Sequence, residues 1–92
     1  MDFTLFVLNM QMFHKEFGLD TSPEGRADKL FEEVNEFATA MQYESPERAD
    51  DEAIDVLVCA IANVVSRGIK NPLHACYEKL ERTAEKYRGL DQ

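Results

Sequence analysis

Five carboxylates in two short segments restrict the fold of this chain more than any other feature. Written as a pattern they are EExxE, an interval of fifteen residues and then ExxD, which places them at Glu32, Glu33, Glu36, Glu52 and Asp55. Acids three residues apart share one face of a helix, where like charges weaken an isolated helix by about 0.2–0.5 kcal/mol per pair. We therefore expect two facing helices whose acids share a cation. Oxygen-only ligands favour a hard ion, Mg²⁺ or Mn²⁺, over zinc or copper.

Apolar residues recur at three- and four-residue spacing along the whole chain, which predicts an all-α fold built as a bundle-like set of four helices. Each of the last three helices is expected to open on a capping residue followed by proline, and these pairs are Ser22-Pro23, Ser45-Pro46 and Asn71-Pro72. Gly25 leaves the start of the second helix open by a few residues. The expected helices cover about 3–17, 26–43, 46 or 50 to 67, and 72–88. No strand pattern, repeat or long linker interrupts them, so residues 1–92 are expected to form one domain.

The third helix is apolar nearly all round, and a helix of that kind is usually buried. Glu52 and Asp55 lie in its narrow polar strip. An unpaired carboxylate is costly to bury, which favours a metal site, although acids near a helix start are also stabilised by the helix dipole. Glu33 and Glu36, taken alone, are equally consistent with solvated helix surface. Because the two acidic turns lie on consecutive helices and can face each other, we favour the metal site.

Basic residues accompany the acids on two of the helices. Arg26 and Lys29 lie on the same side of the second helix as Glu33 and Glu36. A stripe on the fourth helix consists of Lys79, Arg82 and Lys86. This stripe is consistent with ordinary surface partners of the neighbouring glutamates, or with cations that receive phosphate oxygens.

Length and net charge bound the function further. A chain of 92 residues buries a thin core, so association with copies of itself is expected to help it fold. The net charge of −8 argues against a nucleic-acid-binding surface, which needs a basic patch. It is compatible with a nucleotide substrate whose phosphates reach the acids through metal ions.

Cysteine and histidine usage gives two weaker expectations. Cys59 and Cys76 fall in apolar helical patterns, which predicts buried, reduced thiols. Neither His14 nor His74 has a second histidine or cysteine at ligand spacing, so zinc is not expected. The chain has no apolar run of about 18 residues for a membrane span and no basic segment typical of a signal peptide. We therefore expect a cytoplasmic protein.

The acid pattern and its flanks resemble a known family. The run from Lys29-Leu30 through Glu36, continued by Glu52-x-x-Asp55, resembles the EExxE…ExxD motif of the MazG family. These proteins are all-α nucleoside triphosphate pyrophosphohydrolases, grouped with phosphoribosyl-ATP pyrophosphohydrolase and the dimeric dUTPases. Phe13-His14-x-x-Phe17-Gly18 is similar to the first helix of the short, phage-type members. The resemblance covers nearly the whole chain, and the spacing of the acids is its most specific part.

The resemblance implies an activity and a role for each residue. The reaction is that of a nucleoside triphosphate with water to give a nucleoside monophosphate and diphosphate. Mg²⁺, or Mn²⁺ in its place, is held in this family by the residues that match Glu33, Glu36, Glu52 and Asp55. Glu32 would orient or deprotonate the attacking water. The residues expected to bind the substrate are Arg26, Lys29, Lys79, Arg82 and Lys86.

Several alternatives stay open at this point. Members of the family assemble as dimers or tetramers, and both assemblies fit a thin core. Many members carry an asparagine in the last helix, where this chain has Thr83 or, in another alignment, Tyr77. The preferred base and sugar are therefore open, and phosphoribosyl-ATP or a modified nucleotide is the alternative to ordinary (d)NTPs. A non-catalytic helical interaction domain is the alternative from another class.

Overall fold

The structure, a computed structural model, describes residues 2–90 and leaves out the side chain of residue 90. All regular structure in this range is helical. The helices are α1 (Phe3–Glu16), α2 (Pro23–Tyr43), α3 (Pro46–Ser66) and α4 (Pro72–Leu90). The predicted all-α fold of four helices is confirmed. Among residues 2–90, no helix combines the length and the apolar character that crossing a membrane requires.

The helix starts follow from capping side chains. Ser45 Oγ accepts a hydrogen bond from the Arg48 amide, and Asn71 Oδ1 accepts one from the His74 amide. Ser22 caps α2 in the same way, so this helix begins at Pro23, three residues before the predicted start at Arg26. In each case proline occupies the first turn, where its missing N–H has no helical partner to lose.

Gly25 lies inside the first turn of α2 for a steric reason. A Cβ atom at this position would collide with the carboxylate of Asp20, which folds back over the turn to accept a hydrogen bond from the Ser22 amide at 2.9 Å. The glycine therefore permits a close approach of the preceding loop. It does not end or delay the helix.

The hairpin of α2 and α3 is the centre of the fold. The two helices are joined by only two residues and make the most extensive helix–helix contact in the described chain, so they run antiparallel. Helix α1 packs on α3, where Val7 and Met10 meet Ala62. Side chains around this small core are Phe3, Phe6, Val58, Ile61 and Val65.

Two expectations about burial are wrong for the single chain. Helix α3 is not buried all round, because Ile54 and Leu57 are each 59% exposed. The reason is that α1 and α2 cover only two of its sides. Cys76 is exposed on α4, whereas Cys59 is half-buried, and both are free thiols.

Helix α4 packs little against the rest of the chain. Its contacts with α3 are sparse, and its apolar side chains remain largely exposed. These exposed residues are Leu73, Tyr77, Leu80 and Tyr87. The described chain thus buries few apolar side chains and leaves a long apolar helix face uncovered.

Candidate active site

Three acids from the central hairpin converge. One carboxylate oxygen from each of Glu33, Glu36 and Glu52 lies within 4.8 Å of the other two. Glu33 and Glu36 are one turn apart on α2, and Glu52 reaches them from the antiparallel α3. Glu33 and Glu52 are buried, whereas Glu36 is exposed at the edge of the cluster.

The two buried acids are only half satisfied by the protein. Glu33 Oε1 accepts from Lys29 Nζ at 3.1 Å, and Glu52 Oε1 accepts from Arg48 Nη2 at 2.9 Å. Within residues 2–90, the other oxygens, Glu33 Oε2 and Glu52 Oε2, are buried without a hydrogen-bond partner. A buried polar atom left without a partner costs about 1–3 kcal/mol. A divalent cation would satisfy both oxygens and offset the charge of the cluster, so these residues fit such an ion.

Electrostatic repulsion within the cluster is visible at Glu36. The charge of Glu33 contributes most to raising the pKa of Glu36, followed by desolvation and the charge of Glu52. The hydrogen bond to Glu33 is the main reason that the pKa of Lys29 is raised. Lys29 is therefore stabilised in its charged form by Glu33, and Glu36 is repelled by the charges of Glu33 and Glu52.

Asp55 and Glu32 line two different cavities beside the three-acid cluster. Asp55 is exposed and lines a cavity of about 400 Å³ together with Glu33 and Lys29, but it does not join the cluster itself. Glu32 is exposed and pairs with Lys29 at 3.3 Å. It lines a second cavity of about 500 Å³ with Glu36 and Glu52. The cluster therefore borders two cavities, one of which is also lined by Asp55 and the other by Glu32 and Glu44.

The basic residues expected to bind the substrate fall into two groups. Lys29 lies beside the acids, and Arg26 is buried and lines the cavity that contains Glu33 and Asp55. The stripe on α4 is exposed, and none of its members lines either cavity beside the cluster. These are Lys79, Arg82 and Lys86. Within the described chain the structure therefore brings the α2 cations to the acids and leaves the α4 cations apart.

Two further residues of this region, Arg48 and His14, are not among the predicted site residues. Arg48 binds Glu52 and also pairs with Glu44 at 3.4 Å, and the hydrogen bond that Arg48 donates to Glu44 is the main reason that the pKa of Arg48 is raised. The i,i+4 spacing from Glu44 through Arg48 to Glu52 is a signal that was available in the sequence. His14 is buried against Arg26, and twelve residues separate the two in sequence, so no local pattern shows this contact.

An antiparallel helical hairpin with buried acids beside two cavities is a site that fits a divalent cation and a phosphate-bearing substrate. Residues 11–84 match the phosphoribosyl-ATP pyrophosphohydrolase family, and the chain belongs to that family. The family is part of the MazG-like all-α superfamily, which confirms the resemblance seen in the sequence. The protein is accordingly a nucleotide pyrophosphohydrolase, a hydrolase that acts on phosphoric anhydrides.

The match covers most of the site. It includes all five acids of the motif and every predicted basic residue except Lys86, which lies beyond its end. No curated protein and no solved structure matches the chain. Members of this family typically use a divalent metal, in agreement with the acidic cluster.

Proposed function

We propose that the protein is a Mg²⁺-dependent nucleoside triphosphate pyrophosphohydrolase that converts a (d)NTP and water to a (d)NMP and diphosphate. The observation that carries this proposal is the pair of buried, unpartnered oxygens on Glu33 and Glu52, within a cluster that Glu36 completes. An all-oxygen donor set favours a hard divalent ion such as Mg²⁺ or Mn²⁺.

Glu33, Glu36 and Glu52 would hold the metal, and Asp55, one turn beyond Glu52, would be the fourth acid beside it. Bound there, a divalent ion neutralises phosphate charge and lowers the pKa of water. Lys29 neutralises part of the charge of Glu33 and limits the repulsion between the acids and a phosphate chain.

Glu32 is the general base of this proposal. Its carboxylate is exposed and lines the same cavity as Glu36 and Glu52, so water has access to it next to the cluster. Glu32 takes a proton from the attacking water, the water oxygen forms a bond to the α-phosphorus, and the bond from that phosphorus to the bridging oxygen breaks. Diphosphate leaves with the electron pair. Lys29 holds Glu32 in place through the 3.3 Å contact.

The family match favours one second candidate substrate. Phosphoribosyl-ATP also carries a triphosphate, and its hydrolysis at the same bond would use the same residues in the same roles. We keep ordinary (d)NTPs as the first proposal and phosphoribosyl-ATP or a modified nucleotide as the second. Both belong to the intracellular nucleotide pool, which supports a cytoplasmic location.

We further propose that a second copy of the chain completes the site. The apolar face of α4 is exposed, with Leu80 at 68%, and so are Ile54 and Leu57 of α3. Covering such faces is the main driving force for association. The α4 stripe of Lys79, Arg82 and Lys86 carries charge complementary to the acids. In a dimer or tetramer these cations would reach the triphosphate from a neighbouring subunit.

The proposed activity is tested by incubating the pure protein with a panel of NTPs, dNTPs and phosphoribosyl-ATP, with Mg²⁺ and with a chelator. We expect Mg²⁺-dependent formation of a nucleoside monophosphate and inorganic diphosphate. Chromatography distinguishes these products from a nucleoside diphosphate and orthophosphate. Release of orthophosphate would refute the proposed site of attack. Absence of turnover on every substrate would favour the non-catalytic alternative.

A further inference from the structure

Arg26 is a buried cation whose charge helps to lower the pKa of Asp20, after hydrogen bonds to Ser22, but which forms no ion pair with it. It lies in the first turn of α2 and is only 8% exposed. Its Nε donates to the main-chain oxygen of Asp20 at 2.7 Å. Within residues 2–90, no carboxylate lies within ion-pair distance of the guanidinium. Buried charges are normally paired, so the environment of Arg26 suits an anionic ligand.

His14 holds the guanidinium on a second side. Arg26 Nη1 lies 3.5 Å from His14 Nε2, and both residues are buried. Because arginine can only donate, Nε2 must accept, which places the imidazole proton on Nδ1. Desolvation, and secondly the charge of Arg26, lower the pKa of His14, so the ring is neutral at pH 7. Neutral His14 and the Asp20 carbonyl together fix the orientation of the guanidinium.

The fixed guanidinium borders an open space that leads to the acids. His14 and Arg26 line both the cavity of about 400 Å³ that contains Glu33 and a neighbouring cavity of about 570 Å³. Arg26 and Glu33 are seven residues apart on α2, or about 10 Å along the helix at 1.5 Å per residue. This separation leaves room for two different phosphoryl groups of one nucleotide to contact the two residues.

We propose that Arg26, oriented by neutral His14, forms an anion subsite for a phosphoryl group of the substrate other than the one attacked beside Glu33. This subsite rests on the proposed function, because it assigns a binding residue to one phosphoryl group of the proposed nucleotide substrate. His14 acts as a positioning residue, and the remaining N–H donors of Arg26 form charge-assisted hydrogen bonds to the phosphoryl oxygens. The group is either the terminal phosphate of the triphosphate or a separate phosphate on the nucleoside side.

Calorimetric titration in the presence of Mg²⁺ tests the subsite with two probes that contain no base. Tripolyphosphate represents the terminal phosphate, and ribose 5-phosphate represents a phosphate on the nucleoside side. For the probe that uses the subsite, Arg26→Gln should weaken binding about 10- to 100-fold, because a hydrogen bond to a charged group is lost. Arg67→Gln is the matched control. Arg67 is exposed, donates to Asn63 and lines neither cavity, so the affinity should not change.

Two substitutions of His14 test its role as a positioning residue. His14→Gln keeps an acceptor near the position of Nε2 and should retain the affinity. His14→Leu removes the acceptor and should weaken binding about three- to tenfold, with little change in kcat. Equal affinities for the two variants would refute the role of His14. If His14→Leu does not fold, Arg26→Lys is used in its place. This variant keeps the positive charge but loses the planar, forked set of N–H donors of the guanidinium. Wild-type affinity of this variant would therefore refute the role of an oriented guanidinium.

The two proposals fail in distinguishable ways. Unchanged affinity of Arg26→Gln for both probes would overturn the subsite even if the protein hydrolyses nucleotides. Arg26-dependent binding of a probe by a protein that hydrolyses no nucleotide would refute the hydrolase and leave the subsite standing. A loss of affinity for tripolyphosphate alone assigns the terminal phosphate, and a loss for ribose 5-phosphate alone assigns the nucleoside side.

Discussion

At the scale of single residues, exposure distinguishes Glu32 from its neighbour Glu33 and from Glu52. Glu32 has a side chain that is 56% exposed, whereas those of Glu33 and Glu52 are about 10% exposed or less. An exposed carboxylate can exchange protons with water, and a buried one with a free oxygen is suited to a cation. The geometry thus distinguishes neighbouring glutamates that the EExxE pattern presents as equivalent.

The role of Glu32 is tested by Glu32→Gln. The amide cannot accept the proton of the attacking water, and loss of a general base commonly lowers turnover by about 10²–10⁴-fold. Metal and nucleotide affinity should be retained, because Glu33, Glu36 and Glu52 are unchanged. Steady-state kinetics and calorimetry measure the two effects. Glu81→Gln, at an exposed position on α4, is the control, and full activity of Glu32→Gln would show that another group is the base.

Glu36→Gln should stabilise the metal-free protein. Because the pKa of Glu36 is raised in the fold, the folded state binds more protons than the unfolded state between the ordinary and the raised pKa. The stability of the wild type therefore falls as pH rises through that window, and the variant lacks this loss. Thermal melts with a chelator, from acidic to neutral pH, should show a Tm advantage of Glu36→Gln that grows with pH. An advantage that is constant over this range would argue against repulsion as its cause.

At the scale of the helices, the acids link α2 to α3. A metal bound by Glu33 and Glu52 would connect the two helices of the hairpin and oppose their separation. Since such a ligand binds only the folded state, it stabilises that state by RT ln(1 + [L]/Kd), or about 2.7 kcal/mol at 100 times Kd. We expect Mg²⁺ to raise the Tm of the wild type and to have little effect on a Glu33→Gln variant. Equal shifts for both proteins would place the ion elsewhere.

The helices themselves were largely predictable, and the exceptions have local causes. Ser45-Pro46 and Asn71-Pro72 mark the starts of α3 and α4 because capping acts within a few residues. The start of α2 was left open by a few residues because Gly25 follows the Ser22-Pro23 pair, whereas in the structure Gly25 lies within the helix and makes room for the Asp20 carboxylate. The contact of His14 with Arg26 depends on the turn between α1 and α2. Helical periodicity carries no information about such a turn.

The convergence of the acids was predictable in part. Spacing alone places Glu33, Glu36 and Glu52 on facing turns, and the structure brings these three together. The spacing does not predict that Asp55 stays outside the cluster. In the structure Asp55 lies one helical turn beyond Glu52, where the surface of the hairpin is exposed. The burial of α3 within the single chain was overestimated. An apolar pattern shows which helix faces must be buried, but it does not show whether they pack against the same chain or against another copy.

At the scale of the whole molecule, the uncovered faces of α3 and α4 predict self-association. We expect a dimer or tetramer at micromolar concentration, measured by sedimentation. Leu80→Glu introduces a charge on the apolar face of α4 and should shift the protein toward monomers, because an unpaired charge is costly to bury at an interface. Glu81→Gln on the same helix serves as the control. A wild-type protein that is monomeric and stably folded would contradict this prediction.

In the proposed mechanism, the three-acid cluster of the hairpin holds the metal that supports diphosphate release. This role is tested by the Mg²⁺ dependence of diphosphate release by the wild type and by Glu52→Gln, with the best substrate of the panel. We expect a saturable dependence in the wild type and a half-saturating Mg²⁺ concentration at least about tenfold higher in the variant, since a charged ligand is lost. An identical Mg²⁺ dependence in the two proteins would contradict the account.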